Sequence, residues 1–474
     1  MYKSDSNIRI SDITHIHRKS IRGFFLGLGY LCSYSFFRKV FIQDCDSILN
    51  RCTLFHFNFA KVFKFNVYHI IFEENFFYVI HEIKWSGRRD SDPRPSPWQG
   101  DALPAELRPR RSATVSADPT LRYAGRAARD LIGKTDGVAQ LVYEYDELLA
   151  DHDYAEPHIV AGRRLHGGFL ADGTYQPPRT LVREPALAAW EEALRERGGE
   201  PFAANANLLD GVRFPTIPQQ LALLRHGLDQ PFWNTLTFVA KIEAKGAFLS
   251  MLPVPDLSAA IAEDISEMAI GHLGRGLLDA HGLDEGGNPA LGIGGHDEMW
   301  FVARDLVYGP DAHPDVEPDD NIAREDSTRH LPEIGREIEE FFSFLANLLV
   351  IEFRAEIGFA ETQTILRSPD VFTDRRAEAE VAAEIVERIR TDERIHVRSL
   401  NLYLGELRHL HLRTNDGGQV PGHVLIDRFW NGLVHWATVE QPRLVAADTR
   451  QRMYERIARE SEGEAIRAAF DAAA

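Results

Sequence analysis

Cysteine is the first scarcity. The 474-residue chain has three, Cys32, Cys45 and Cys52, and none beyond them. The rest of the chain can build no disulfide framework and offers no thiolate as ligand or nucleophile, which fits a reducing cytoplasm. Positive charge is also short, with a formal net charge of −18. Residues 1–112 carry 17 Lys/Arg against 11 Asp/Glu, which leaves 36 against 60 for residues 113–474. A body that acidic repels phosphate backbones, so nucleic acid is not an expected partner. Long apolar runs are missing. Residues 21–37, "IRGFFLGLGYLCSYSFF", follow basic residues as a leader would, but Tyr and Ser break the run and no clear cleavage site follows. It is also too short for a span, so no membrane partner is expected. No G-x-S-x-G elbow occurs, and "LIGKTDG" at 131–137 has Ala128 in place of the first glycine of a phosphate loop.

Alanine is nearly absent from residues 1–85, where Ala60 stands alone among 13 of the 28 Phe. Beyond about residue 113 the chain is rich in Ala, Arg, Glu, Leu and Gly. Phe, Ile, Lys, Asn and Tyr have AT-rich codons, so the change can be one of DNA composition. The stretch at the junction, "WSGRRDSDPRPSPWQGDALPAELRPR" (85–110), reads as protein like a stiff Pro/Arg-rich linker. With one choice of codons, Ser96 to Asp101 can be written TCACCTTGGCAAGGTGAT, whose complement folds as a five-base-pair stem around TTGCCAA. That loop has GCC at its centre, and Trp85 as TGG is the complement of CCA. The stretch resembles the antisense translation of a glycine transfer-RNA gene, with Asp92 departing from the Asn expected there. The resemblance implies that residues 1–112 are upstream DNA read as coding, with Val115 as a GTG start.

What remains is expected to be mainly α. Residues 115–230 form a mixed accessory segment, with helical patterns at 186–197 and 217–228 and a turn at "LHGGF" (165–169). Four longer helices are expected at 231–252, 257–281, 332–366 and 374–413, paired as two antiparallel hairpins by short loops. Two more, at 426–440 and 443–474, complete the C-terminus. "HDE" at 296–298 could bind metal, but a polar triplet after glycine that opens a helix reads as a cap.

The chemistry concentrates on the long helices. Residues 341–351 are apolar on nearly every side, and Glu352 follows at once, with Glu356 one turn on. A carboxylate in such a helix is costly unless paired or bound to metal, and Arg354 is the plain alternative partner. On the last helix the inward stripe runs Ala382, Ile385, Ile389, Asp392, His396, Ser399, Tyr403. Glu393 and His396 are three apart and project to one side, as in helical metal sites. Antiparallel pairing sets Glu393 level with residue 349, near Glu352, and Glu243 level with residue 266, beside Glu267.

This order of acids and histidines resembles the ferritin-like di-metal carboxylate family over about residues 231–413. The resemblance implies a ferritin-like four-helix bundle with additional helices. Its metal ligands would be Glu243 and Glu352 singly, Glu393 with His396, and Glu267 with His272. The last two are five apart, so they share a face only across a π-bulge. Glu356 is the substitute for Glu352. The family further implies two iron ions, with manganese the alternative, bridged by Glu267 and Glu393. It also implies oxidation or oxygenation of a small organic substrate with dioxygen, near Tyr403 or Trp300, under a lid made by 115–230. Two other readings stay open. One is a metal-free helical interaction or regulatory protein, whose buried acids meet arginines. The other is a haem-oxygenase-like di-metal oxidase using Asp392 and His396. A homodimer is compatible with all three.

If residues 1–112 are not part of the native protein, mass spectrometry of that protein returns no peptide from residues 1–84. One such peptide overturns the transfer-RNA reading.

Overall fold

The computed structural model describes residues 140–474 apart from 210, 212, 319–322 and 325–327, together with the backbone of 70–73 and 76–79. The chain divides into Met1–Ser112 and Ala113–Ala474. In the first unit, β1 (Ile70–Glu73) and β2 (Phe76–Val79) form an antiparallel hairpin. The other expectations for residues 1–112, the loop at 131–137 and Val115 lie outside the described residues.

The second unit is mainly helical. Among the described residues a single helical turn, Tyr145–Leu148, precedes a small antiparallel sheet of β3 (Glu156–Val160), β4 (Arg163–Phe169) and β5 (Tyr175–Gln176). The stretch "LHGGF", expected as a turn, is most of β4. Its glycines serve packing: at Gly167, with φ +65°, a Cβ would stand 2.5 Å from the Tyr175 hydroxyl.

Among the described residues, ten helices of nine residues or more follow. They are α1 (Thr180–Glu196), α2 (Ile217–Arg225), α3 (Gln230–Gly246), α4 (Leu277–Gly286) and α5 (His296–Tyr308). Then come α6 (Arg336–Leu366), α7 (Arg376–His409), α8 (Gly422–His435), α9 (Gln441–Ile457) and α10 (Gly463–Ala472). Between α7 and α8, β6 (His411–Arg413) pairs with β7 (Gln419–Pro421). A π-helical stretch, Trp436–Glu440, joins α8 to α9 just ahead of Pro442, whose missing N–H interrupts the regular α-helical ladder there.

The centre is a helical bundle in which α6 lies along α7, α7 along α5, and α5 along α3. Pairing between α6 and α7 is antiparallel, since Gln363 bonds the Ala383 carbonyl while Arg367 meets Glu380. Every residue of the expected α7 stripe, from Ala382 to Tyr403, is buried. The segment expected as one helix over 257–281 is not one. It runs as a single turn, Leu257–Ala260, then an irregular stretch, a 3-10 segment Ala269–Arg275, and α4. Two causes are visible. Ile261 bridges Leu412 in extended pairing, and Gly276 at φ +123° takes a conformation that a helix excludes.

Two apolar clusters hold the bundle. One gathers Trp190, Phe342, Leu345, Leu349, Phe353 and Ile395, and the other Leu236, Trp300, Phe359, Ala382, Ile385 and Ile389. Along α6 the clusters part between Phe353 and Phe359, and along α7 between Ile389 and Ile395. Asp392 and Glu393 lie in that seam, with Glu352 and His396 at its edge.

Away from the seam, Glu406 is fully buried and accepts the Ala269 and Ile270 N–H groups, at 3.2 and 2.9 Å. It therefore anchors the 3-10 segment that leads into α4. Burial, only partly offset by those two donors, pushes its carboxyl up to about 7. Glu406→Ala orphans both buried donors and is expected to cost about 2–4 kcal/mol in urea unfolding. Because the folded-state value lies above the ordinary 4.5, this group's contribution to stability is lost as pH rises from about 4.5 through 7. Glu406→Gln should flatten that dependence.

Candidate metal centre

Five helices deliver one buried polar cluster. Glu243 comes from the last full turn of α3, and His281, Asp284 and Glu285 from one face of α4. His296 is the first residue of α5, Glu352 lies mid-way along α6, and Asp392, Glu393 and His396 lie mid-way along α7. All nine are buried. The α4 backbone comes close to α3 because Gly246 has no side chain. A Cβ there would stand 2.5 Å from Cγ of Glu285.

The glutamates meet histidines. His281 Nε2 is 3.1 Å from Glu352 and 3.3 Å from Glu285. His296 Nδ1 is 3.1 Å from Glu393, 3.4 Å from Glu285 and 3.7 Å from Glu243. His396 Nδ1 is 2.8 Å from Glu393 and 3.2 Å from Glu285. Two four-residue sets result, each with donor atoms within 4.8 Å of one another: His281, Glu285, Glu352 and His396, and Glu243, Glu285, His296 and Glu393. Glu285 belongs to both.

The angles matter as much as the distances. His281 Nε2 and His296 Nδ1 are buried without a hydrogen-bond partner, although carboxylate oxygens stand near them. Two atoms each about 2.1 Å from a common ion and about 90–110° apart lie about 3.0–3.4 Å from each other. The spacing between these nitrogens and the carboxylate oxygens, 3.1–3.7 Å, overlaps that range, so the cluster could hold metal ions. The donor set, imidazole with carboxylate, suits iron and manganese.

The far sides of two imidazoles are fixed. His396 Nε2 is 3.1 Å from Asp284, which accepts from Arg179 Nε at 2.9 Å and Arg183 at 2.7 Å. His296 Nε2 is 3.3 Å from Asp392, which also takes His166 Nε2 at 2.9 Å and the Tyr175 hydroxyl at 3.0 Å. Each carboxylate can hold the Nε2–H tautomer, which turns Nδ1 inward toward the glutamates; His396 Nδ1 hydrogen-bonds Glu393 there, and His296 Nδ1 makes no hydrogen bond.

Four glutamates in one dry seam cannot all ionise. Burial and the nearby Glu285 push Glu243 well up, and burial with Glu393 pushes Glu352 up to about 8. Against their own burial, Glu285 is held well down by Glu243 and His296, and Glu393 is held at about 2 by His396 and His296. The carboxylates around them overcome burial and raise His296 and His396 well above the ordinary histidine range. The ion-free cluster thus shares protons.

Of the residues singled out in the sequence, Glu243, Glu352, Glu393 and His396 come together here. Glu267 and His272 do not. The helix that was to present them is broken, Glu267 sits half-buried in a turn, and His272 accepts the Tyr143 N–H beside Trp190. Glu356 is exposed while Glu352 is buried. Tyr403 and Trp300 are both buried, and Trp300 packs on Phe359. His281, Glu285 and His296 were missed. His281 and Glu285 are four apart, a spacing that puts both on one helical face, but Gly282 read as a helix end. His296 read as part of a cap, whereas its ring is fully buried.

Comparison with family models, curated proteins and solved structures gives no match. The site's chemistry therefore rests on its geometry.

Gly246→Ala is expected to displace Glu285, the residue common to both sets. After loading with ferrous iron, elemental analysis should then find metal lowered by about half or more relative to the unsubstituted chain.

Proposed function

We propose that this chain is a di-metal carboxylate protein of ferritin-like type, an oxidase or oxygenase that uses dioxygen on a small organic substrate. The observation that carries the reading is the pair of buried imidazole nitrogens, His281 Nε2 and His296 Nδ1, that make no hydrogen bond although carboxylate oxygens of four glutamates stand 3.1–3.7 Å away. Two divalent ions would cancel the charge of Glu243, Glu285, Glu352 and Glu393. Iron is the first choice and manganese the alternative.

Glu243, Glu285, His296 and Glu393 would hold one ion, and His281, Glu285, Glu352 and His396 the other. When bound, such ions supply the redox chemistry that dioxygen activation needs. The protein's own part is to keep the donors oriented and dry, and bound ions would displace the protons that the cluster otherwise shares. Asp284 and Asp392 orient His396 and His296 through Nε2. Glu285 reaches both ligand sets, and the two apolar clusters exclude water on either side of the seam.

The metal-free reading required the buried acids to meet arginines. Asp284 does so, but the four glutamates have histidines as their ion-pair partners. The arrangement with Asp392 in place of Glu393 is less well supported. Asp392 Oδ2 receives His166, Tyr175 and the outer nitrogen of His296, while Glu393 lies on the inner side with Glu285.

The direct test loads the full chain with ferrous iron under anaerobic conditions, measures iron per chain, then admits oxygen. About two equivalents and rapid oxygen uptake are expected, and less than about half an equivalent overturns the proposal. A second measurement separates function from folding. Glu352→Leu removes a costly buried carboxyl, so it should raise the thermal midpoint of the metal-free chain while cutting its iron content. A lower midpoint in the metal-free state would show that Glu352 is a structural partner instead.

A further inference from the structure

The two ligand sets differ in the charge that stands behind them. Behind His396, Asp284 is clamped by two guanidinium groups, Arg179 through Nε at 2.9 Å and Arg183 at 2.7 Å. That trio has a formal charge of plus one. Behind His296, Asp392 accepts from an imidazole and a phenol, His166 at 2.9 Å and Tyr175 at 3.0 Å. Neither of those partners has a fixed positive charge as a guanidinium has. The ligands add to the difference. The set at His296 has three glutamates and one histidine, and the set at His396 has two of each.

We infer that the two metal positions are inequivalent, and that the position at Glu243, Glu285, His296 and Glu393 fills first and holds a divalent ion more tightly. This rests on the di-metal reading above. In a low-dielectric seam, an extra anionic ligand and a carboxylate behind the imidazole that no guanidinium holds both favour the cation. At the other position the arginine pair repels it through Asp284. Oxygen-rich donors also suit a hard ion such as Mn(II) better than a nitrogen-rich set does. Asp392 and Asp284 are positioning residues, each acting through one histidine and each tuning one position.

The experiment titrates the full chain with Mn(II) alone and follows free ion by electron paramagnetic resonance. Two resolved steps are expected. Asp392→Asn should weaken the first by about tenfold to a hundredfold and leave the second in place. Asp284→Asn should weaken the second. Arg183→Gln removes a positive charge while Arg179 still holds Asp284, so it should tighten the second step. Damage to folding would weaken it instead. A single step of two equal equivalents overturns the inequivalence, as does loss of the same step in both Asn variants or a weakened second step in Arg183→Gln. Less than one equivalent bound by the unsubstituted chain overturns the di-metal reading itself, which separates the two failures.

Discussion

Keeping four glutamates out of water is the constraint around which this bundle is arranged. An isolated buried carboxylate is costly, and like charges at hydrogen-bonding distance cost more. The chain meets that cost with three histidines on the inner side and two aspartates on the outer side. The aspartates need support of their own, which explains features far from the seam. Arg179 and Arg183 stand on or beside α1 to hold Asp284. The small sheet brings His166 and Tyr175 onto Asp392. A segment that looks like a loose addition in sequence is thus an outer wall of the polar cluster.

The apolar parts of the fold are subordinate to the same constraint. Each long helix is continuous across the seam, but its apolar contacts are divided between two clusters, with the carboxylates at the break. Glycine does the close fitting where side chains would interfere. Gly246 admits Glu285 between α3 and α4, and Gly167 admits the Tyr175 ring. These are places where a single methyl group would act on the cluster from outside it.

How much of this could be read from sequence depended on regularity. The long helices α6 and α7 carry an apolar run and a clean three-four stripe, so their pairing and the height of Glu352, Glu393 and His396 followed from helical geometry. The neighbourhood of Glu243 was not legible: the sequence set it beside Glu267, whereas it lies with Glu285, His296 and Glu393. Failure set in where tertiary contacts overrode local pattern. Ile261 was drawn into a bridge with Leu412, which ended a helix that periodicity favoured, and the partners assigned to it, Glu267 and His272, went with it. Gly282 was read as a stop because glycine commonly follows helices, yet here it lets α4 lie against the backbone at Ser250. His296 had no periodic neighbour to reveal that its ring points inward.

One consequence of the cluster's make-up concerns time. Glu243 and Glu393 are 150 positions apart in the chain, and Glu285 and His296 lie between them. An ion held by all four would act as a clasp joining α3, α4, α5 and α7. It could not leave by the swing of one loop, because its holders are rooted in different helices packed on one another. Exchange with solvent ions would have to wait for the bundle to breathe apart, so the identity of the occupant would be decided largely when the chain folds.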